Sequence, residues 1–420
     1  MGGIYDLLAD EFHRYATDNA WLFPHFEKML YNQAQLTMVY IKAFELTKNP
    51  LYKRVFTQTL DYTIREIQAK NDGFYSATDA DSEGEEGLFF IWTIDEIKTV
   101  LTDDFKIFEQ YFDLSNSTEF ESAHVLHYKN FTALKQTDFD TIKPLLQKLY
   151  NARQKREKPL LDNKILLSWN ALLLKAFTQA SEYDKKYLIK AKELNQFLLN
   201  NFYQTDLKRV YINNKTSQTA IFEDYAYFAD ALIKLFDKTN DVNHLQTAQK
   251  LINTAIEKNL DNENHGFKIS NNNRIQNNLK EIYDGAIFSS NGIAYAVLNK
   301  LSNRLKTPQY KTLALQLINA FSEKISQNPS AYSSIVTAYS AFQKGSINGT
   351  MYAYNGKIKI TSGKGKINLV IKKGWHINTH KVLQQALIAT KITNKQLKTV
   401  HYPNAKIIQL SFSKDKLAVL

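Results

Sequence analysis

The chain has 420 residues, no cysteine and an apolar content of 44%, so it can bury a sizeable core but forms no disulfide or thiolate metal site. It contains no run of about 18 apolar residues and no signal-like start, so we expect a cytoplasmic protein with no membrane partner. The net charge is +11, but residues 343–420 alone carry +13. Those lysines are scattered among β-type residues, so we also expect no nucleic-acid partner.

The first elements alternate between irregular and helical patterns. Residues 2–23 have no helical period and are predicted to form a structured loop. Pro24 is predicted to open a helix that runs to about Leu46. A second helix is predicted from Asn49-Pro50 to about Ala69, with Phe56 and Leu60 on its apolar face.

This pairing of helices recurs along the chain. The first helix of each pair is apolar nearly all round and the second is amphipathic, which favours an inner and an outer helix, as in a toroid of helical hairpins. A plain solenoid would give the same periodicity, so the pattern alone leaves both open. The later predicted helices cover 165–183 with 185–202, 222–238 with 243–258, 288–305 with 309–325, and 330–342, while 89–156 is an insertion with its own short helices.

The pattern changes after about Gly345. Segments 357–360 and 366–371 alternate with a period of two between glycines, which is typical of strands. We therefore expect two domains, a helical domain over residues 1–345 and a small β-domain over residues 346–420.

The most acidic stretch of the chain lies between Gly73 and Gly87, with five carboxylates between Asp79 and Glu86. Three interpretations compete. The first is a solvated acidic turn. The second is a calcium loop of the EF-hand type, although its twelfth position is Phe90, where a bidentate Glu is required. The third is a polar loop that contacts a ligand.

Polar residues stand where the predicted inner helices begin, and a buried helix does not need them. Parallel inner helices would bring these ends to one rim, where aromatic faces and carboxylates together are typical of sugar recognition. Some members also have a purely structural interpretation, as N-caps or as a satisfied histidine. The set comprises His25, Glu27, Ser168, Trp169, Asn170, Glu223, Asp224, Tyr225, Tyr283, Asp284, Ser289, Ser290 and Asn291.

Seven motifs in order resemble one family, the thioredoxin-domain-containing bacterial proteins related to animal spermatogenesis-associated protein 20. The resemblance covers about residues 1–345 and implies an all-α fold, an (α/α)6 toroid of the six-hairpin glycosidase kind, similar to the N-acylglucosamine 2-epimerases. The motifs are Gly2-Gly3-Ile4-Tyr5-Asp6, Phe12-His13-Arg14-Tyr15, Pro24 to Tyr31, Asp79 to Gly87, Ser168-Trp169-Asn170, Glu223-Asp224-Tyr225-Ala226 and Tyr283-Asp284-Gly285-Ala286.

The resemblance also implies an N-terminal thioredoxin-like domain and a first part of the toroid, neither of which is in this chain, so we expect a truncated toroid. Leu8-Ala9-Asp10-Glu11 replaces a Gly-rich turn of the family. The segment Gly374-Trp375-His376-Ile377-Asn378 resembles the N-terminal domain of thiol:disulfide interchange protein DsbD, without that domain's cysteine pair.

We therefore expect acid–base chemistry on a carbohydrate-like ligand, with no metal and no cofactor. His25, Glu223 and Asp224 are the candidate catalytic residues. Two carboxylates about 6.5–9.5 Å apart would suit inverting hydrolysis, whereas His25 with a carboxylate would suit epimerisation. The candidate substrate-binding residues are Glu27, Asp79, Asp81, Asn170, Asp284 and Asn291, with Trp169, Tyr225 and Tyr283 as stacking faces.

The alternative is a non-catalytic scaffold or regulatory module coupled to a thioredoxin-like domain. Catalysis needs two acids and an open pocket within reach of one sugar ring, whereas scattered or salt-bridged acids favour the alternative.

Asp81→Asn keeps the shape of the acidic loop and removes one charge. We expect unfolding free energy to change by less than about 1 kcal/mol while ligand binding weakens. Calorimetry with calcium and with candidate sugars checks this, and tight calcium binding that Asp81→Asn abolishes would favour the metal loop instead.

Overall fold

The computed structural model describes residues 3–115, 123–270, 279–343, 350–353, 356–363, 366–372, 397–401 and 407–412. They belong to two compact units, Met1–Thr219 and Ala220–Leu420, each with its own packed helical hairpins. The expected domain boundary near residue 345 stays a prediction. The segment 374–378 lies outside the described residues.

The described residues are mainly helical, and successive helices pack in pairs as α1 with α2, α6 with α7, α8 with α9 and α10 with α11. The predicted all-α class with a small C-terminal β-segment is confirmed. The helices are α1 (Leu30–Thr47), α2 (Pro50–Tyr62), α3 (Ile94–Leu101), α4 (Phe105–Tyr111), α5 (Gln136–Arg153), α6 (Leu167–Ala180), α7 (Lys186–Phe202), α8 (Phe222–Thr239), α9 (Val242–Asn259), α10 (Ser290–Leu305), α11 (Pro308–Ala320), α12 (Ser322–Gln327) and α13 (Ser333–Gln343).

The contrast between inner and outer helices is visible in α6 and α8, which are buried on most faces, whereas α7 and α9 bury one stripe. The first helix, α1, differs because it buries only one face and leaves Val39 and Leu46 exposed. Asn49 caps α2, since its side-chain oxygen accepts a hydrogen bond from the Leu51 N–H.

Short antiparallel strands connect the helices. Those of the first unit are β1 (Tyr5–Asp6), β2 (Glu11–Phe12), β3 (Tyr15–Ala16), β4 (Pro24–His25), β5 (Lys28–Met29), β6 (Ala77–Thr78), β7 (Asp81–Ser82), β8 (Glu85–Glu86), β9 (Trp92–Thr93), β10 (Ala123–His124), β11 (Leu161–Asp162), β12 (Ile165–Leu166), β13 (Lys208–Ile212) and β14 (Lys215–Thr219). One three-stranded sheet, in the order β11-β6-β5, joins the starts of α1 and α6 to the acidic stretch.

The prediction that Pro24 opens a helix is wrong. Pro24 and His25 pair with β3, Lys28 and Met29 pair with β6, and α1 begins only at Leu30. Burial alternates strictly from residue 24 to residue 30, as it does along a strand. The segment is extended because both of its ends are hydrogen-bonded to neighbouring strands.

A cluster of buried charges fixes this extended segment from inside. The Lys28 ammonium lies 2.6 Å from Asp6 Oδ2 and also contacts Glu11, and the Arg153 guanidinium donates to both Asp6 oxygens at 2.9 and 2.8 Å. Two cations and two carboxylates balance, which offsets the cost of removing each charge from water. Burial lowers the pKa of Lys28 to about 8 and that of the adjacent His13 to about 4.

In the second unit the β-segment packs on helices. Its strands are β15 (Thr350–Ala353), β16 (Ile358–Gly363), β17 (Lys366–Ile371), β18 (Leu397–His401) and β19 (Ile407–Phe412), paired antiparallel in the order β15-β16-β17-β19-β18. Asp237 ties them to α8 and α10, because its carboxylate binds Arg304 at 2.5 and 2.9 Å and accepts from the Tyr352 hydroxyl. Of the described helices, none has the length and apolar character needed to span a bilayer.

Asp10 occupies the turn where the resemblance led us to expect glycine, and its backbone is left-handed, with φ of 71°. Burial raises the pKa of its carboxyl to about 7. Between pH 4 and 7 the folded chain therefore holds a proton that the unfolded chain releases, so stability falls as pH rises through this window.

Asp10→Asn keeps the shape and tolerates the left-handed backbone, but it does not titrate. We expect the variant and the parent to be nearly equally stable near pH 4, and the variant to be more stable by about 4 kcal/mol at pH 8. Urea unfolding at both pH values measures this, with the exposed Asp103→Asn as control. A difference that does not depend on pH would contradict it.

Candidate functional site

The extended segment before α1 places His25 and Glu27 on one side, because residues two apart in a strand share a face. The His25 Nε2 atom lies 3.1 Å from Glu27 Oε2, and its Nδ1 atom lies 2.6 Å from Glu86 Oε1. Each ring nitrogen thus faces a carboxylate, while 23% of the side chain remains exposed. The Tyr15 ring stacks on the imidazole at 5.0 Å between centroids.

Arg14 and Tyr31 connect this pair to Trp169. The Arg14 guanidinium lies 2.7 Å from Glu27 Oε2, and this hydrogen bond is the largest cause of the raised pKa of Arg14, to which Tyr31 also contributes. The Tyr31 ring meets the Trp169 ring edge-on at 4.8 Å. Two predicted site residues on different elements, His25 and Trp169, therefore belong to one contact network in the first unit.

The acidic stretch folds as a β-hairpin, with β7 paired to β8. Its turn residues Glu83 and Gly84 both have positive φ, 53° and 83°, as in the two-residue turns of the type I′ class. Asp81 stands opposite Glu86, the partner of His25, and Asp79 and Asp81 are exposed on either side of buried Ala80.

The hairpin is anchored by aromatic packing and not by a long strand. Of the residues directly after the hairpin, 88–93, only Trp92 and Thr93 form a strand. Phe90 is buried instead, with its ring 5.4 Å from Phe26, and a side chain at Gly87 would meet the Phe26 ring. Among the described residues, no group of three or more His, Asp or Glu side chains is placed to hold a metal ion.

Asn170 and Asn291, both predicted to bind substrate, are buried and engaged with the backbone. Asn170 accepts from the Phe74 N–H at 2.9 Å and donates to the Phe74 carbonyl at 3.0 Å. Asn291 does the same for Phe267, at 2.8 and 2.9 Å. Gln33 repeats the arrangement on Phe12, at 3.0 and 2.6 Å. We call these three side chains the amide clamps.

The first turn of α8 holds the predicted pair Glu223 and Asp224. Asp224 is buried, and its carboxylate accepts from the Ile221 N–H at 3.0 Å, so it caps the helix start. Tyr225 is 2% exposed, which leaves no open ring face for stacking. Glu223 is only partly buried.

Asp284 ties a loop together, although we predicted that it binds substrate. Its carboxylate accepts from the Ser289 N–H, the Ser334 N–H and hydroxyl, and the Ser333 hydroxyl, at 2.7 to 3.0 Å. Ser289 in turn caps α10 by accepting from the Gly292 N–H. Tyr283 is 60% exposed beside this loop.

Sequence reasoning missed Glu281. Partial burial, together with the carboxylates of Glu223 and Asp284, raises the pKa of Glu281, so these two acids lie close enough to influence Glu281. Sequence reasoning also missed Glu86 as the partner of His25. A further omission was Trp21, which is 58% exposed in the loop between β3 and β4. No sequence pattern distinguished Glu281 from other acidic residues, whereas Trp21 could have been noticed as an isolated tryptophan in a polar loop.

The two predicted groups of site residues fall in different units. His25, Glu27, Asp79, Asp81 and Trp169 belong to the first unit. Glu223, Asp224, Tyr283, Asp284 and Asn291 belong to the second. The expected convergence of all the helix starts on one rim stays a prediction.

The fold defines an all-α protein of packed helical hairpins with a small β-segment. Comparison with known sequences then shows which proteins the chain is similar to. The chain is 29% identical to mouse spermatogenesis-associated protein 20 over 393 residues, covering 82% of this chain and 50% of the relative, and 28% identical to the human protein with the same coverage. The chain is a homologue of spermatogenesis-associated protein 20, as the motifs predicted.

The chain spans about half the length of the curated relatives it matches. No family model matches it. Among solved structures, it is similar to cellobiose 2-epimerase from Bacillus thermoamylovorans B4167, with 12% identity, a TM-score of 0.45, and coverage of 77% of this chain and 66% of the epimerase.

Asn170→Ala tests whether the amide is a structural clamp or a ligand contact. The change leaves the buried Phe74 N–H and carbonyl without partners, so we expect the free energy of unfolding to fall by about 2–4 kcal/mol. The exposed Asn200→Ala on α7 serves as control and should change it by less than about 0.5 kcal/mol. A variant that keeps its stability but loses ligand binding would contradict the clamp.

Proposed function

We propose that this chain processes a carbohydrate by acid–base chemistry, with His25 as the proton-transfer group. The observation that carries the proposal is the partly exposed imidazole held between Glu27 and Glu86. Histidine is the side chain most often used to transfer protons in catalysis, and a carboxylate on one ring nitrogen orients the other toward a substrate.

The two carboxylates have different parts in this proposal. Glu27 is fixed by Arg14 and by its place in the extended segment, so it can hold the Nε2 side of the ring. Glu86 lies on an exposed hairpin with 48% of its side chain open to solvent. A sugar hydroxyl can therefore replace Glu86 at Nδ1, which would bring the substrate within reach of the imidazole.

The surroundings of His25 fit a polyhydroxyl ligand. The exposed carboxylates of Asp79 and Asp81 can accept hydrogen bonds from hydroxyl groups, and the rings of Tyr15 and Trp169 offer apolar faces for the C–H side of a sugar. His25 would abstract the proton beside the sugar carbonyl to give an enediolate, and the imidazolium would return that proton to the other face of the carbon once the enediolate has turned. This one-base epimerisation is the reaction that the arrangement favours.

Hydrolysis is the second candidate reaction, and a separate observation favours it. Partial burial, together with the carboxylates of Glu223 and Asp284, raises the pKa of Glu281, and glycoside hydrolysis uses a pair of carboxyl groups of which the general acid has a raised pKa. Under this candidate Glu281 donates the proton to the leaving oxygen and Glu223 activates water. We assign Asp224 no role in either reaction, because its Oδ2 atom caps α8.

The test begins with ligand binding. Sugars that bind should raise the melting temperature by mass action, and a screen of neutral mono- and disaccharides identifies them. Each hit is then incubated with the chain in D2O. Loss of a sugar C–H proton signal in the NMR spectrum reports epimerisation, and release of a new reducing end reports hydrolysis.

We expect His25→Asn to lower the rate of C–H exchange by about 100-fold or more, because the general base is lost. His244→Asn is the matched control, since His244 also lies beside a carboxylate, on α9, and should leave the rate unchanged. Under the hydrolysis candidate Glu281→Gln, not His25→Asn, would abolish turnover. Binding sugars that show neither reaction would contradict the proposed activity.

A further inference from the structure

A polar cavity in the first unit is built on the three-stranded sheet β11-β6-β5. The register pairs Lys28 with Thr78 and Thr78 with Leu161, so these three side chains share one face of the sheet. That face forms one wall of a cavity of about 170 Å³, and Arg153 from the end of α5 forms part of another. His25 and Glu86 do not line it.

The lining is rich in cations. Lys28, Arg153 and Lys158 line the cavity, and the acid that lines it is Glu66, which is bound by Arg65 at 2.8 Å and by the Tyr150 hydroxyl at 2.5 Å. Beneath Lys28 and Arg153 lie their partners Asp6 and Glu11. Together the lining residues and their partners hold four cations against three carboxylates, which leaves one excess positive charge.

Buried polar atoms at this cavity have no hydrogen-bond partner among the described residues. One is Nε of Arg153, a residue that is 1% exposed, and another is the Thr78 hydroxyl. An unpaired buried donor costs about 1–3 kcal/mol, and more on a charged group. Both atoms belong to side chains that line the cavity, so an acceptor bound there would satisfy them.

The walls strengthen any such interaction. The Lys28 ammonium lies 4.5 Å from the centroid of the Phe90 ring, and the Arg153 guanidinium lies 5.1 Å from that of Phe89. Aromatic walls exclude water and lower the local dielectric, so a cation at the edge of the cavity attracts an anion more strongly than it would on an open surface.

We propose that this cavity binds a small oxyanion, a carboxylate or a phosphate, through Arg153, Thr78 and Lys158. Arg153 donates its Nε–H, Thr78 donates its hydroxyl, and the exposed Lys158 at the rim supplies the excess charge. The site is separate from the His25 network and does not rest on the function proposed for it.

The test uses the purified chain with inorganic phosphate and with gluconate, and with glucose as the uncharged counterpart of gluconate. Because the chain carries a net charge of +11, each titration is run against sodium chloride of equal ionic strength to remove general screening. We expect phosphate or gluconate to bind in calorimetry and to raise the melting temperature, and glucose to do neither through this site.

Two variants locate the site. Thr78→Val removes an unpaired hydroxyl at constant shape, so we expect unchanged or higher stability together with about tenfold weaker anion binding. Lys158→Gln should weaken binding roughly two- to fivefold, whereas Lys164→Gln, on an exposed lysine paired with Asp162, should not.

The outcomes separate cleanly. Anion binding that Thr78→Val and Lys158→Gln weaken, with His25→Asn unaffected, supports the cavity. Anion binding that none of these variants changes would place the anion elsewhere on the basic chain and overturn the proposal. Absence of any binding beyond that of matched sodium chloride would overturn it as well.

Discussion

The buried ion cluster of Asp6, Glu11, Lys28 and Arg153 is the constraint on which the first unit depends. Its four members come from three separate parts of the chain, namely the first β-hairpin, the extended segment before α1 and the last turn of α5. Removing one member would leave an opposite charge buried without a partner, which typically costs about 3–5 kcal/mol. The cluster therefore fixes the position of the insertion helix α5 against the N-terminal hairpin.

The same cluster decides which side chains of the extended segment before α1 remain exposed. Because Lys28 points inward to Asp6, the strand alternation places His25 and Glu27 outward, where both remain partly exposed. A helix starting at Pro24 would have spread these residues around its axis. The geometry of the His25 site is thus a consequence of a buried salt bridge three residues further along the chain.

Helices were predictable from the sequence wherever apolar periodicity was long. The observed bounds of α7 and α9 differ from the predicted ones by at most one residue at each end, because one apolar stripe every 3.6 residues has no competing interpretation. The prediction of a helix beginning at Pro24 was wrong for a specific reason. A buried lysine breaks the apolar alternation that marks a strand, and proline is a good first residue of a helix.

The candidate site was harder to predict because the residues that contact one another there are distant in sequence. His25 meets Glu86 from 61 residues away, and Asn170 meets Phe74 from 96 residues away. A single sequence shows that Asn170 is polar at a buried helix start but not which backbone group it satisfies. Glu281 was missed for a similar reason, since the pKa of its carboxyl is raised by partial burial and by Glu223, which lies on another element.

The amide clamps explain why polar residues gather at the starts of the inner helices. The side chains of Gln33, Asn170 and Asn291 each hydrogen-bond to the N–H and the carbonyl of a phenylalanine in a preceding segment. Three hairpins therefore have the same pair of hydrogen bonds, although their sequences differ. Asp224 and Ser289 at two other positions are used as caps. These buried polar groups are therefore engaged in structural hydrogen bonds, which is why the proposed function places its chemistry in the strands and loops that precede the helices, where His25, Asp81 and Glu281 lie.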